Sequence, residues 1–133
     1  MLFRSLVKKL SLDDKVIFAG YRDDVPAILA GVDVCVISSR KEGFPYSMVE
    51  MLLARKAIIS TPIPGALEVL PESAISASHK VIDIAEAINT GLTDIPALNQ
   101  SFASTFDYAH QHLTLEAMAN QYLSLYQELL SAN

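Results

Sequence analysis

Two short apolar runs, each followed by a turn-forming loop and a helical pattern, constrain the fold of this 133-residue chain most strongly. The first, Val32–Ser39, is nearly continuous in apolar residues apart from Asp33, and the second is Ala57–Ser60. Short uninterrupted apolar runs are typical of parallel strands covered on both faces. Because parallel strands need long crossover connections, the helical segment between the runs predicts a strand–helix–strand unit. The sequence therefore predicts an α/β fold with a parallel sheet and flanking helices.

Other segments carry weaker signals of strands and helices. Val16–Ala19 is rich in strand-forming residues and predicts a strand, and Ala74–Ala77 predicts a weak one. Helices are predicted over residues 2–10, 24–31, 45–55, 66–70, 81–91, 98–113 and 115–130. The helix over 98–113 is expected to break near Thr105, and residues 93–96 are expected to form a loop. Residues 1–133 are interpreted as one domain, with its C-terminal helices beginning at about residue 97.

Particular residues are expected to fix the helix ends. Asp23 or Asp24 is suited to cap the helix that contains Pro26, and Thr114 is suited to cap the last helix. Gly31 is expected to end the earlier helix in a left-handed conformation. The apolar stripe of the last helix is interpreted as a packing face and consists of Leu115, Met118, Ala119, Tyr122, Leu123, Tyr126, Leu129 and Leu130.

Composition and charge exclude several classes of function. The chain is 51% apolar and has a formal net charge of −5, so it can bury a core and has no electrostatic reason to bind nucleic acid. Its one cysteine, Cys35, builds no disulfide framework and predicts a reducing compartment. No apolar run approaches the roughly 20 residues that span a bilayer, and no secretory signal is recognisable. For the amphipathic start of the chain, core packing is favoured over a peripheral membrane contact.

Three predicted strands end in loops that suit a ligand. The loops are Gly20–Arg22, Ser38–Gly43 and Ser60–Gly65. In open parallel sheets, ligands bind in the crevice beyond the carboxyl ends of the strands. If the three strands share one sheet, we expect these loops to form one crevice.

The stretch from Glu42 to Glu50 is the most suggestive part of that crevice. Glu42 follows a predicted strand, and Glu50 lies one turn into the helix that begins near Pro45. Carboxylates accept hydrogen bonds in fixed directions and suit a vicinal diol, such as a ribose or hexose edge. The free N–H groups at the helix N-terminus suit a phosphate.

Each of these residues also has a purely structural explanation. Ser47 and Glu50 fit a capping box at the start of the helix, and Glu42 fits a solvated loop acid. Arg40 and Lys41 fit a diphosphate contact, but they also fit an exposed loop with local ion pairs.

For two further turns, the sequence allows either a ligand-binding role or a purely structural one. The backbone of Gly20–Arg22 could read a base or form a plain loop, and Pro64–Ala66 could present N–H groups to a ligand or simply cap a helix, which is favoured slightly. His79, His110 and His112 form no ligand cluster, and Cys35 fits a small core residue. No phosphate-binding glycine motif and no nucleophile–His–acid order is present.

Several motifs occur in a recognisable order along most of the chain. Glu42 and Glu50 are separated by seven residues, and Gly43-Phe44 follows Glu42 directly. The other motifs are Val16–Tyr21, Ala30–Val36, Ser39–Pro45, Met51–Ala54, Ala57–Thr61, Pro64–Leu70 and Tyr122–Tyr126. This series resembles the C-terminal domain of the retaining GT-B glycosyltransferases of group 1, which carry an E-x7-E motif, an S-x-x-E-G-F core and a G-x-x-E segment. The resemblance implies a Rossmann-like sheet, the C-terminal half of a GT-B fold.

The resemblance also implies roles for individual residues in binding a nucleotide-diphosphate sugar. Glu42 would face the donor hexose and stabilise positive charge at the anomeric carbon, and Glu50 would bind the ribose hydroxyls. Gly43 and Phe44 would offer backbone N–H groups to the sugar and phosphate. The transfer would retain the anomeric configuration.

The same resemblance, together with the charges of the loops, implies the remaining donor contacts. Tyr21 and Arg22 would lie at the base edge, and Arg40 is a candidate for the diphosphate. No metal ion and no cofactor beyond the donor substrate is expected. The acceptor would be a glycan, a lipid or a polysaccharide, and the enzyme is expected in the cytoplasm, with a peripheral position at the inner membrane face as an alternative.

The chain departs from the family pattern in three ways. Ser38 replaces a usual proline, and Arg55-Lys56 replaces a usual glycine-containing link, which would alter that turn. The family's N-terminal acceptor domain and the first two strands of its C-terminal domain, which are central in the order 3-2-1-4-5-6, have no counterpart before residues 2–10. The chain is therefore expected to be a fragment with an exposed sheet edge that does not transfer sugar alone.

Two other classes of protein remain as alternatives. A non-catalytic α/β nucleotide-binding or regulatory domain would share the fold without needing Glu42 for chemistry. An epimerase or phosphorylase of similar architecture would need acid–base residues, or a cofactor lysine or phosphate-binding cluster, that this segment does not display.

Overall fold

A computed structural model describes residues 2–131, and a pair of parallel strands lies at its centre. β1 (Val34–Ile37) and β2 (Ala57–Ser60) pair in register, with Val34 opposite Ala57. Beyond β2, a parallel bridge joins Ser60 to Ile75, where Ala74–Ala77 was expected to form a weak strand. Among the described residues, the predicted strand is therefore present only as this single bridge.

Helices connect and flank the strands throughout the described residues. They are α1 (Leu2–Lys9), α2 (Val25–Ala30), α3 (Tyr46–Leu53), α4 (Pro64–Val69), α5 (Val81–Thr93), α6 (Ile95–Ser101), α7 (Ala103–His112) and α8 (Leu115–Ser131), with a 3-10 turn at Glu72–Ala74. α3 forms the crossover from β1 to β2, and it packs against both β2 and α7. The predicted α/β fold with a parallel sheet and flanking helices is confirmed.

The core lies around β2 rather than β1. All four residues of β2 are buried, and Met48, Leu52 and Phe102 pack around it with almost no exposed surface. The rings of Phe102 and Phe106 stack with their centroids 5.5 Å apart. β2 is therefore the rigid support for the loops at its carboxyl end.

β1 is covered less completely than its apolar run predicts. Cys35 and Ile37 are buried, but Val36 on the opposite face is 43% exposed. Within residues 2–131, β1 pairs only with β2, so its other edge is open in this part of the chain. The prediction of a strand covered on both faces is wrong here because one face and one edge lack covering elements in the described part of the chain.

The predicted strand at Val16–Ala19 does not form. Ile17 is 90% exposed, and Phe18 instead lies under the guanidinium of Arg4, 4.5 Å from its ring centroid. A strand is stable only when a neighbour satisfies its backbone N–H and C=O groups. No neighbouring strand for this segment is present in the described part of the chain.

Several helix ends differ from the predictions. Gly31 has φ −92°, a right-handed conformation that any residue adopts, so a left-handed end was wrong. The break in the helical region falls at Phe102 rather than near Thr105. The expected loop over residues 93–96 is instead a tight junction, where Asp94 accepts a hydrogen bond from the Ala97 N–H at 2.9 Å and caps α6.

The last helix begins as predicted but does not pack as predicted. The Thr114 hydroxyl oxygen accepts a hydrogen bond from the Ala117 N–H at 3.1 Å, which confirms the cap. The apolar stripe of α8 is exposed in this structure, with exposed fractions from 48% at Met118 to 79% at Leu130. The interpretation of this stripe as a packing face is therefore wrong for the described part of the chain.

The departure at Arg55-Lys56 is accommodated without a glycine. Arg55 has φ +54°, the left-handed region that favours glycine. Its guanidinium lies 5.2 Å from the centroid of the Phe106 ring and 3.5 Å from an Asp107 carboxylate oxygen. These contacts offset part of the conformational cost of the left-handed backbone at Arg55.

Lys56 ties this turn to the end of α2, and its removal is expected to destabilise the fold. Its ammonium donates to the carbonyl oxygens of Val32 at 2.9 Å and Ala30 at 3.3 Å. A Lys56→Met variant keeps most of the apolar stem and should lose about 1–2 kcal/mol of unfolding free energy in denaturant titration. Lys15→Met is the control, because the ion pair of Lys15 with Asp14 is exposed. Equal losses in the two variants would contradict the prediction.

Candidate functional site

The loops that follow β1 and β2 contact each other at the carboxyl end of the sheet. We call Ser39–Phe44 the motif loop. The Thr61 N–H donates to the Ile37 carbonyl at 2.9 Å, and the Gly65 N–H donates to the Gly43 carbonyl at 2.8 Å. Two of the three predicted crevice loops are therefore brought together. The third, Gly20–Arg22, does not follow a strand, because Val16–Ala19 forms none.

Gly65 allows the closest approach between the two loops. A Cβ atom at this position would lie 2.6 Å from the Gly43 carbonyl oxygen and 3.0 Å from the Phe44 Cα atom. The first distance, to a backbone oxygen, is one that real Cβ atoms essentially never show, and the second is very tight, so glycine is the residue that fits beside the motif loop. Pro64–Ala66 lies at the start of α4, and the Gly65 N–H donates to the Gly43 carbonyl of the motif loop.

Glu42 is exposed at the tip of the motif loop. One of its carboxylate oxygens, Oε1, accepts a hydrogen bond from the Ser39 hydroxyl at 2.7 Å. This bond leaves lone pairs on both carboxylate oxygens for other donors. The carboxylate is thus oriented by its own loop and remains accessible to a ligand.

Glu50 lies in different surroundings from Glu42. It is exposed on α3 and lines a cavity of about 530 Å³ between α2 and α3, together with Val25, Leu29 and Leu53. Glu42 is not among the residues that line this cavity. The capping-box alternative is wrong, because Pro45 is the N-cap residue of α3 and no side chain caps the helix.

The turn before α2 presents an aromatic ring and a paired arginine. Tyr21 is 96% exposed. The Arg22 Nε atom donates to an Asp24 carboxylate oxygen at 2.7 Å, and a second contact joins the same two groups. The guanidinium lowers the pKa of Asp24, and the same pair raises the pKa of Arg22. Asp24 holds the N-cap position of α2 but makes no side-chain cap, because its carboxylate binds Arg22.

The remaining residues predicted to contact the donor, Arg40, Gly43 and Phe44, lie at accessible positions of the motif loop. Arg40 is exposed, and Phe44 is 41% exposed. Gly43 has open space where a Cβ would be. The structure therefore places Arg40, Glu42, Gly43 and Phe44 on one accessible loop, whereas Glu50 lies on α3.

Within residues 2–131, no three His, Cys, Asp or Glu side chains are grouped so as to hold a metal ion. The His112 ring packs on Tyr108, with centroids 4.8 Å apart. Cys35 is buried as predicted, and burial raises the pKa of its thiol while the charge of Lys56 partly opposes that rise.

Thr61 is the residue that sequence reasoning missed. It is 1% exposed, and its hydroxyl donates to the Ser39 carbonyl at 2.6 Å. The signal was the polar pair Ser60-Thr61 directly after the apolar residues Ala57–Ile59. Such a buried hydroxyl needs a partner, and the nearest acceptors are those of the adjacent strand end.

Comparison with known proteins identifies the family. The sequence profile of the family described as Glycosyl transferases group 1 matches residues 3–94. N-acetyl-alpha-D-glucosaminyl L-malate synthase of Bacillus anthracis is 35% identical over 65 residues, which cover 49% of this chain and 17% of that protein. The N,N'-diacetylbacillosaminyl-diphospho-undecaprenol alpha-1,3-N-acetylgalactosaminyltransferase of Campylobacter jejuni is 27% identical over 116 residues, covering 85% and 31%. The chain thus spans less than a third of these relatives.

Solved structures show the same fold. Sucrose-phosphate synthase from Thermosynechococcus elongatus superposes with a TM-score of 0.84 at 25% identity, over 98% of this chain and 34% of that one. HepE from Anabaena, solved in complex with UDP, superposes with a TM-score of 0.86 at 21% identity, over 96% of this chain and 36% of that one. The fold is that of GT-B glycosyltransferases. Since the family profile covers both strands and the whole stretch from Glu42 to Glu50, the chain belongs to the glycosyl transferases of group 1.

Proposed function

We propose that this chain is the donor-binding part of a retaining GT-B glycosyltransferase. In the whole protein it would bind a nucleotide-diphosphate hexose and present it to a glycan, lipid or polysaccharide acceptor. One observation carries the proposal. The stretch from Glu42 to Glu50 lies within the family match, and its first carboxylate stands exposed at the carboxyl end of a parallel strand, where ligands of open α/β sheets bind.

Glu42 is proposed to act on the hexose. Its carboxylate is oriented by Ser39 and accessible, so it can accept hydrogen bonds from the donor sugar and stabilise positive charge that develops at the anomeric carbon. Its electrostatic effect is needed mainly in the transition state. We therefore assign it an orienting and stabilising role, and not that of a nucleophile.

Glu50 is proposed to bind the ribose hydroxyls of the nucleotide. The carboxylate borders the cavity between α2 and α3, whose lining is otherwise apolar. A carboxylate beside an apolar wall suits a ribose, which combines a vicinal diol with a hydrophobic ring face. Tyr21 and Arg22, in the turn that precedes α2, are proposed to lie at the base edge.

The motif loop is proposed to bind the diphosphate without a metal ion. Gly43 and Phe44 would supply backbone N–H groups, and Arg40 would supply a positive charge. Cations and amides of this kind can offset the two negative charges of a diphosphate leaving group.

The 133 residues by themselves are proposed to be inactive in transfer. The chain covers 17% of one relative and 31% of another, and those proteins hold residues for which this chain has no counterpart. Acceptor binding would come from such residues. Turnover of nucleotide-sugars by residues 1–133 alone would contradict this part of the proposal.

The place of the enzyme in the cell is proposed to depend on where its acceptor lies. No helix within residues 2–131 is long and apolar enough to cross a bilayer. α1 exposes Phe3 and Leu6 and carries Arg4, Lys8 and Lys9. We propose a cytoplasmic enzyme whose lipid-linked or polymeric acceptor brings it to the inner membrane face, where such a helix would favour anionic lipid.

Nucleotide titration tests the proposal at Glu50. The protein should bind a nucleoside diphosphate in calorimetry, and Glu50→Gln should weaken that binding about tenfold, because it removes a charge-assisted hydrogen bond to the ribose. The free diphosphate, which lacks a ribose, should bind both proteins equally. If Glu50→Gln binds the nucleotide as tightly as the parent protein, the ribose assignment fails.

A further inference from the structure

The orientation of Glu42 depends on a chain of hydrogen bonds that begins in the core. Thr61 is buried directly after β2, and its hydroxyl lies 2.6 Å from the Ser39 carbonyl and 3.3 Å from the Ile37 carbonyl. A hydroxyl has one proton to donate, and the shorter distance favours Ser39. Thr61 thus fixes the backbone of the first residue of the motif loop.

Ser39 carries this constraint from the backbone to the carboxylate. Its carbonyl accepts from Thr61, while its own hydroxyl donates to Glu42 Oε1 at 2.7 Å. Glu42 is exposed, and these two bonds are the described contacts that link its carboxylate to the core. A free Glu side chain in water samples many rotamers, so the Ser39 bond restricts an otherwise mobile group.

The far end of the motif loop is held independently. The Gly65 N–H donates to the Gly43 carbonyl at 2.8 Å, one residue after Glu42. This contact fixes the backbone on the other side of Glu42 but leaves its side chain free to rotate. Among the contacts of the described residues, the Thr61–Ser39 pair is therefore the one that determines where the carboxylate points.

We propose that Ser39 and Thr61 are positioning residues that act through Glu42. Ser39 holds the carboxylate in the orientation that meets the donor hexose, and Thr61 holds Ser39. This inference rests on the proposed function, because it assumes that Glu42 acts on the hexose. It adds that the reaction depends on two hydroxyls that need not touch the donor.

The expected signature is a loss of turnover without a loss of nucleotide binding. In the whole protein, Ser39→Ala should lower kcat about tenfold, since misorientation of an active-site group costs roughly that much or more. The affinity for the nucleoside diphosphate, which has no hexose, should stay within about twofold of the parent protein. Ser39→Thr keeps a hydroxyl and should restore most of the rate.

Thr61 is tested with two variants because it is buried. Thr61→Val removes the hydroxyl at nearly constant volume and should reproduce the kcat loss, whereas Thr61→Ser keeps the hydroxyl and should recover it. Ser104→Ala, at an exposed position of α7 outside the crevice loops, is the control and should keep the parent kcat. Thermal unfolding checks that each variant is folded, so kcat is compared only between folded proteins.

A double-mutant cycle decides whether Ser39 acts through Glu42. If it does, Ser39→Ala should have almost no further effect on kcat in a Glu42→Gln background. Additive losses would overturn the inference, and so would a parent-like kcat in Ser39→Ala when Glu42→Gln alone has a strongly reduced kcat. A parent-like kcat in Glu42→Gln would instead overturn the proposed role of Glu42, and the inference with it. The two failures are thus distinguishable.

Discussion

A Gly65→Ala variant is expected to lose both stability and sugar transfer. The added Cβ would lie 2.6 Å from the Gly43 carbonyl oxygen and 2.9 Å from the Phe44 Cδ2 atom, so the motif loop must move away. That movement breaks the hydrogen bond between the Gly65 N–H and Gly43, which is 2.8 Å long. Overpacking and the lost hydrogen bond together should reduce the free energy of unfolding by about 2–4 kcal/mol.

The loss of transfer should exceed what the loss of stability explains. Gly43 follows Glu42 directly, and a shift of about 1 Å in a catalytic group commonly costs on the order of 100-fold in rate. We therefore expect kcat/KM of the whole protein to fall about 100-fold under conditions where the variant is still folded. Denaturant unfolding and steady-state kinetics on the same preparation separate the two effects.

Gly31→Ala is the matched control for Gly65→Ala. A Cβ at Gly31 would meet only the Ile28 carbonyl oxygen, at an ordinary distance of 3.6 Å, and its φ of −92° suits alanine. Its stability should be unchanged or higher by about 0.5 kcal/mol, because alanine restricts the unfolded chain. Equal behaviour of the two variants would show that the loops do not meet as the structure describes.

A Glu42→Gln variant is expected to lose transfer while keeping its fold and its nucleotide. Glutamine has the same shape, and its amide oxygen can still accept the hydrogen bond that Ser39 donates at 2.7 Å. What disappears is the negative charge that would stabilise the developing positive charge at the anomeric carbon. Loss of such electrostatic stabilisation commonly costs about 100- to 1,000-fold in kcat.

Steady-state kinetics and calorimetry test this prediction together. The kcat of Glu42→Gln should fall by that factor, while the affinity for the nucleoside diphosphate should not change. Glu86→Gln serves as the control, since Glu86 is an exposed carboxylate on α5, remote in sequence from the motif loop. Unchanged transfer in Glu42→Gln would favour the alternative of a nucleotide-binding domain in which this carboxylate has no chemical role.

Structural features that depend on residues close together in the sequence were predicted well. The uninterrupted run Ala57–Ser60 forms a fully buried strand, α3 forms the crossover, and Thr114 caps α8. Each depends on residues within a few positions of one another, so spacing and side-chain type are sufficient. The motif that places Glu42 at a strand end is of the same kind.

Elements that depend on a distant partner were predicted poorly. Val16–Ala19 has the composition of a strand, but nothing in the described chain pairs with it. The stripe of α8 has the spacing of a buried face, yet Leu130 is 79% exposed. The composition of a segment shows which secondary structure it can form, but the segments that pack against it determine which one is stable.

The sequence by itself determined the fold class, the family resemblance and the order of the carboxylates along the chain. Only the tertiary structure decided that Gly65 must be glycine, that Thr61 holds Ser39, and that Glu50 borders the cavity between α2 and α3, which Glu42 does not line. The physical reason is that these contacts join residues about twenty positions apart, through atoms that meet only when β1 and β2 pair. No local sequence pattern predicts these contacts, because they depend on how the strands and their loops pack together.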